Sequence, residues 1–315
     1  MIIGLVAAGL SLTEPVADFD QLWLASHAVW HGVDPYAALH GSFWRDLYYP
    51  LPAVVMAMPS ALLPSVIAHA CFAGLGIAAA AFALSSRGWW GLIGLASYPA
   101  LDAVQLAQWS PLFVGAALLP KLEWLAIAKP TTGLATVASY AVERPARGLW
   151  FGVAVSVSII CACFIIQPDW LSRWLAATRS AEHFAPLVAR PGGFLLLGAL
   201  LRWRLPEARL LALLAIVPQT IAPYEALLLT LVLRSRREAL VFSFASLLMI
   251  PFLVRVGGGS SLAPRIDHDA PVLILFLYLP ALVMILRRPN AGRVPTSIQR
   301  AAASLPQWLR GSDVA

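Results

Sequence analysis

Side chains that could act as acid, base or cation are scarce in this chain, and most of them stand beside long apolar runs. The densest group lies between Asp18 and Pro52, DFDQLWLASHAVWHGVDPYAALHGSFWRDLYYPLP, with four aspartates (Asp18, Asp20, Asp34, Asp46) and three histidines (His27, His31, His40). A carboxylate within hydrogen-bond reach of a substrate hydroxyl acts as a general base, which makes Asp18 and Asp20 candidates. His27 and His31, four residues apart, have the spacing of a metal pair with one of these aspartates, but that spacing alone is a weak signal, an interfacial helix accounts for it better, and no metal is expected. His268, between Asp267 and Asp269, offers an acid/base group of the kind histidine supplies near neutral pH. Cations form the second class. Lys129, followed by Pro130, falls in the middle of an apolar run, where a lysine is costly and marks a functional site by default, unless it snorkels to the surface. Arg173, Arg179, Arg190 and Arg265 lie in polar stretches and are suited to binding an anion such as phosphate, or to contacting lipid headgroups. Asp102, Gln105 and Gln108 are spaced three apart and are expected on one helical face, as sugar-hydroxyl ligands or as helix-packing polar groups.

The elements that would position these groups are membrane helices. The chain of 315 residues is 60% hydrophobic and 12% charged, with a mean hydropathy of +0.76, whereas soluble domains carry about a quarter charged residues. At about 20 apolar residues per span, the apolar runs leave room for roughly eight to ten passes. The formal charge of +6 comes mostly from arginine, since Lys121 and Lys129 are the two lysines. The arginines cluster in short interspan loops, the pattern of a positive inside face, and no basic stretch has the form of a nucleic-acid groove. Cys71, Cys161 and Cys163 lie in apolar runs without CxxC spacing and read as packing residues. MIIGLVAAGLSLT lacks the features of a cleaved signal peptide and reads as the end of a first span continuing through Val16.

The acidic stretch after it, a first external loop over about 15–48, is expected on the non-cytoplasmic side. Within it FDQLWLASHAVWHG has helical spacing, with Asp20, Leu24, His27 and His31 on one face and Trp23 and Trp30 on another. Gly32 is the expected C-cap, and the tryptophans suit headgroup depth. The prolines between Tyr48 and Ser86 leave open whether Arg87 is inside or outside. Lys129-Pro130 is expected to break a helix at membrane depth. A clean span runs from Leu149 to Ile166, another from Ala239 to Val254, and the last from Val272 to Leu286. Arg265, Asp267, His268 and Asp269 fall in the external loop before that last span. The expected domain is thus 1–288, with 289–315 a polar, disordered cytoplasmic tail. No Walker, GxGxxG, GxSxG or HExxH motif is present.

The order of features resembles the polyprenol-phosphate-dependent glycosyltransferases of the GT-C superfamily, most closely its GT87 group of bacterial alpha-mannosyltransferases. The residues that carry the resemblance are Asp18-Phe19, the G-x-D-P-Y element Gly32, Asp34, Pro35 and Tyr36, and the Tyr-Pro-x-Pro entry Tyr49, Pro50 and Pro52. Gln108 stands in a turn that the family writes Gly-Gln-Asn and this chain writes Ala-Gln-Trp. Lys129-Pro130 and Pro223-Tyr224-Glu225 match two later elements. The resemblance implies an all-α, polytopic transmembrane helical bundle of GT-C type, with an amphipathic external-loop helix after the first span. It also implies an enzyme of a bacterial plasma membrane whose site faces the periplasm. The reaction it implies is inverting transfer of a sugar, mannose being the expected one, from a polyprenyl-phosphate donor to a lipid-linked or cell-envelope acceptor, without a cofactor. Asp18 would be the base and Asp20 its rival. Lys129, seconded by Arg173 and Arg265, would hold the donor phosphate. Asp34, Tyr36, Tyr49, Asp102, Gln105, Gln108, Tyr224 and Glu225 would contact sugar or acceptor. A non-catalytic or transport-type protein that keeps such a fold is the alternative. The expected partners are membrane lipids and the lipid-linked substrates, with no nucleic acid; the oligomeric state is left open.

Overall fold

The computed structural model describes residues 18–41, 46–143, 146–218, 222–253 and 262–292, with the backbone alone for 146–147 and 262–264. The expected first span to Val16, the side chains of Arg144 and Arg147, and the tail from 293 onward lie outside the described residues. Among the described residues all regular structure is helical, as the all-α expectation requires.

The acidic stretch begins with α1, Asp18–Trp30, which buries Phe19, Leu22, Ala25 and Ser26. Gly32 ends it as expected. At φ 71°, Gly32 donates its N–H to Val29 O at 3.0 Å while Val33 donates to Ala28 O at 2.8 Å, a paired closure that satisfies the last carbonyls. Trp30 is exposed, but Trp23 is tied down through its indole N–H to Leu63 O at 3.0 Å. Helix α2, Pro35–Leu39, starts at an Asp34 cap whose carboxylate accepts from Tyr36 N. Helix α3, Leu51–Ala57, tightens into 3₁₀ turns over Met58–Leu62 before α4, Ser65–Ser85.

A 3₁₀ segment over Trp89–Leu95 leads to α5, Tyr98–Gln105, and α6, Ser110–Leu118. Then come a 3₁₀ segment over Pro120–Ala128 and α7, Pro130–Ala141. Helices α8, Ala146–Ile166, and α9, Trp170–Ser180, follow. Two 3₁₀ segments, Leu187–Ala189 and Gly193–Arg202, precede α10, Pro206–Ile216. A 3₁₀ segment over Pro223–Val232 and α11, Arg236–Leu248, come next. The chain closes with α12, Leu262–Leu273, a π turn over Ile274–Tyr278 and α13, Leu279–Leu286. Proline stands in the first turn of α3, α5, α6, α7 and α10, where its missing N–H would have had no partner. The prolines at these starts divide much of the apolar sequence into short segments, while Pro271 lies inside α12.

Among the described residues three helical stretches are long and apolar enough to cross a membrane: Ser65–Ser85, Gly148–Ile166 and Arg265–Leu286. In Gly148–Ile166 only 11% of the apolar window is buried, and large apolar side chains such as Trp150, Phe151 and Ile165 face outward. A surface of this kind suits lipid. The expected span from Ala239 to Val254 is shorter. Helix α11 has 13 residues, about 20 Å of rise against roughly 30 Å of hydrocarbon. The loop expected to carry Arg265, Asp267, His268 and Asp269 is helical instead, and forms the first turns of the last long helix.

The segment Pro223–Val232 is the centre of the bundle. Every residue from Glu225 to Val232 is buried, and α5, α6, α10, α13 and the segment at 89–95 pack around it. Helices α4 and α6 close against each other across glycines. A Cβ on Gly76 would meet Pro111 at 3.4 Å, and one on Gly115 would meet Ala79 at 3.4 Å, the close approach that small residues permit. The guanidinium of Arg87 donates to Leu231 O at 2.8 Å, at the opposite end of the central segment from Glu225. Arg87 therefore joins Arg234 and Arg288 at an arginine-rich end.

Candidate functional site

Helix α5 stops at Gln105, and the way it stops builds the site. Ala107 takes φ 45°, the one positive φ outside glycine among the described residues. Its N–H donates to Val104 O at 3.1 Å and that of Gln108 to Ala103 O at 2.8 Å, the same closure as at Gly32. The expected single face for Asp102, Gln105 and Gln108 is therefore broken: Asp102 and Gln105 lie within α5, and Gln108 beyond the reversal. The turn swings the Gln108 side chain to the start of α1, where its amide donates to Asp18 Oδ2 at 2.6 Å. Asp18 thus uses its carboxylate in a tertiary contact. Asp20, two residues on, lies about 200° further round the helix.

The amide oxygen of Gln108 accepts from Lys129 Nζ at 3.4 Å. Lys129 occupies the break between the 120–128 segment and α7, with φ −140° and ψ 84°, so the expected interruption at Lys129-Pro130 is observed. Its ammonium lies 2.5 Å from Glu225 Oε1, with side-chain exposures of 19% and 1%, and 4.9 Å from the centre of the Tyr224 ring. An ammonium over an aromatic face beside a buried carboxylate is held by both. The backbone N–H of Tyr224 donates to Asp102 Oδ2 at 3.0 Å, which fixes the start of the central segment against α5. Asp18, Glu225, Tyr49 and Asp102 are all close enough to act electrostatically on the Tyr224 phenol. Asp18, Gln108, Lys129, Glu225, Tyr224 and Asp102, expected from four separate parts of the sequence, thus form one constellation.

Its walls contain residues that sequence reading passed over. Phe19 stacks on Phe72 with centroids 4.5 Å apart, Phe72 meets Trp109 edge-on at 5.0 Å, and Trp109 stacks near Phe113 at 6.3 Å. Phe19 follows Asp18 and Trp109 follows Gln108, so an aromatic layer runs beneath the hydrogen bond that joins them. The Trp109 indole N–H and the Tyr278 hydroxyl are buried and make no hydrogen bond with the described residues. Tyr278 lies close enough to Glu225 for its charge to act on the phenol. The sequence signal for Trp109 was its place beside Gln108; Phe72 and Tyr278 had none apart from being aromatic.

Other expected site residues lie in separate clusters. Asp34 caps α2, accepts from Gln167 Nε2 at 2.9 Å and pairs with Arg173 Nη1 at 2.5 Å. Arg173 also pairs with Asp169 at 2.6 Å, and this hydrogen bond holds the Asp169 carboxyl below its ordinary value and the guanidinium above its own. The Trp174 indole donates to Tyr48 O at 2.9 Å. Tyr36 donates its hydroxyl to Tyr49 O at 3.1 Å, and burial pushes its phenol well above the usual range. These contacts fasten α9 to the acidic stretch. Gln167, missed in the sequence, stands one residue past the apolar helix α8, a position where a polar side chain can reach back to the loop.

Arg190 pairs with Asp267, Arg265 with Asp269 at 3.4 Å and His268 with Asp269 at 3.2 Å. His268 is ten residues, about 15 Å of helix rise, from Tyr278. It is thus displaced along the helix from the side chain that senses Glu225. His27 and His31 stack at 6.1 Å, and His31 Nδ1 contacts His27 O at 2.8 Å. Among the described residues no three His, Cys, Asp or Glu side chains cluster as a metal site. No family model matches the chain, and no curated protein or solved structure matches it.

Proposed function

We propose that this chain is a multi-pass membrane glycosyltransferase of the GT-C kind. It would move a sugar, with mannose expected, from a polyprenyl-phosphate donor to a lipid-linked or cell-envelope acceptor on the external face of a bacterial plasma membrane. The observation that carries the reading is the chain of contacts from the Asp18 carboxylate through Gln108 to the Lys129 and Glu225 pair. It sets a candidate base next to a candidate phosphate-binding cation, in a protein with helices apolar enough to cross a membrane. Asp18 removes the proton of the acceptor hydroxyl as its oxygen attacks C1 of the sugar. The bond from C1 to the phosphate oxygen breaks, and its electron pair leaves with the lipid phosphate. A base on the face opposite the leaving group gives inversion, as in inverting glycosidases. Gln108 holds Asp18 by one oxygen, and among the described residues the other oxygen has no donor. The donor phosphate shares the Lys129 ammonium with Glu225; Arg173 and Arg265, the other two cations expected there, are held in separate ion-pair clusters and take no part.

One observation favours the second reading, a non-catalytic or transport-type protein with the same fold. Lys129 is already charge-paired with Glu225, as an ammonium of purely structural use would be. Transfer of labelled sugar from a polyprenyl-phosphate hexose by the purified full chain separates the two. The glycosyltransferase reading expects transfer by the wild type and a loss of at least about a hundredfold in Asp18→Asn, the usual scale for a general base. Full activity in Asp18→Asn overturns Asp18 as the base, and the absence of transfer by the wild type with every such donor favours the second reading.

A further inference from the structure

At the arginine-rich end of the molecule a groove of about 490 Å³ lies between α11 and the last long helix, away from the constellation around Lys129. Its walls are Val241, Leu275, Leu279, Pro280, Val283 and Met284. The π turn over Ile274–Tyr278 and Pro280 behind it interrupt the regular ridge of side chains on this helix. Val241, Leu275 and Val283 are exposed along the groove.

Arg237 and Arg287 stand at its mouth. Both are exposed, and neither pairs with a described carboxylate. The one acid in the groove, Glu238, is engaged elsewhere: it accepts from Arg288 Nη2 at 2.9 and 2.8 Å and from Arg234 N at 2.6 Å. Glu207 is likewise held, by Arg234 and Arg288. Four guanidinium groups, of Arg234, Arg237, Arg287 and Arg288, thus stand with two carboxylates that are both already paired. The mouth of the groove is left positive. From Arg287 to Leu275 the helix rises about 18 Å, close to half of a hydrocarbon core roughly 30 Å thick.

We infer that this groove binds one anionic glycerophospholipid. Its phosphate sits between Arg237 and Arg287, and one acyl chain lies along Val241, Val283, Leu279 and Leu275. Length, apolar wall and charge fit a lipid of a single leaflet. The inference needs only that the chain lies in a membrane, and it stands whether or not the glycosyltransferase reading does.

The test is equilibrium titration of the delipidated full chain in neutral detergent with phosphatidylglycerol, with phosphatidylcholine of the same acyl chains, and with inorganic phosphate. Two arginines near the headgroup correspond to a preference of about 30-fold for phosphatidylglycerol. Arg237→Gln and Arg287→Gln each reduce it about fivefold and the double variant abolishes it. Val283→Trp, which fills the groove, weakens both lipids. Arg236→Gln, at an exposed arginine over the Trp89 ring, leaves the preference unchanged. Arg237 and Arg287 have no described protein partner, so their variants keep the unfolding midpoint of the lipid-free wild type, and the two single variants give independent readings. Equal binding of the two lipids, a preserved preference in the double variant, or displacement of the lipid by inorganic phosphate at matched concentration overturns the inference.

Discussion

Ala107 decides where Gln108 points. A left-handed backbone costs a residue with a Cβ about 1–2 kcal/mol, and such strain persists where the surroundings enforce it, often at functional sites. Here the closure of α5 and the hydrogen bond from Gln108 to Asp18 enforce it. Ala107→Gly removes the strain but loosens the unfolded chain, for a net gain of about 1 kcal/mol, read as a raised unfolding midpoint in detergent. A lowered midpoint would show that Ala107 is not strained. The sequence offered Gln108 as a polar residue in an apolar hairpin, and Lys129 as a lysine at membrane depth. It could not show that the reversal at Ala107 joins Gln108 to Asp18, because an alanine carries no turn signal. Nor did it show that Glu225 pairs with Lys129, since nothing local links a lysine to an acid so far along the chain.

Helix α9 illustrates how an element outside the apolar bundle is held. Its apolar contacts are few, with Trp170 its one buried side chain. Its place therefore depends on the pair of Arg173 with Asp34 and Asp169, on Gln167 with Asp34, and on the Trp174 indole. Because Arg173 lowers the Asp169 carboxyl in the folded state, this contribution is fully present above the ordinary carboxylate range, about pH 4. It is lost as pH falls through the lowered folded value. Amide exchange in α9, corrected for intrinsic rates, should therefore quicken relative to α4 below about pH 4. Arg173→Met should show the faster exchange already at pH 7. An α9 that stays equally protected in both cases would mean that its apolar contacts suffice. At this scale the sequence was legible where a helix end carries its own chemistry, as at Gly32 and Lys129-Pro130, whereas Asp34, expected as a sugar or acceptor contact, proved to cap α2. It misled at 265–269, where polar residues read as a loop. Their carboxylates pair with Arg190 and Arg265, which lets a helix carry them.

Across the whole molecule, charge separates to two ends of the central segment at Pro223–Val232. The acids of α1, Asp18 and Asp20, and the Lys129 and Glu225 pair stand at one end. At the other, Arg87, Arg202, Arg234 and Arg288 tie helix termini together. Composition and short basic turns made this polarity legible in the sequence, but the knot that fixes the basic end was not, because it joins four segments. Arg288 is its centre. It is one-tenth exposed and bonds Glu207 at 2.7 Å and Glu238 at 2.8 Å, while its backbone carbonyl accepts from Arg202 Nε at 2.6 Å. Removing one partner from a buried ion pair costs about 3 kcal/mol or more, so Arg288→Met should lower stability by about that amount. Arg288→Lys should recover only part of it, since an ammonium cannot reach two carboxylates with a planar fork. Because Glu207 keeps Arg234 at 2.7 Å, the carboxylate left without a cationic side chain among the described residues is that of Glu238. Adding Glu238→Gln to Arg288→Met should then restore more stability than adding Glu207→Gln, a difference read from a double-mutant cycle on unfolding midpoints. The reverse order would make Glu207, not Glu238, the acid that depends on Arg288.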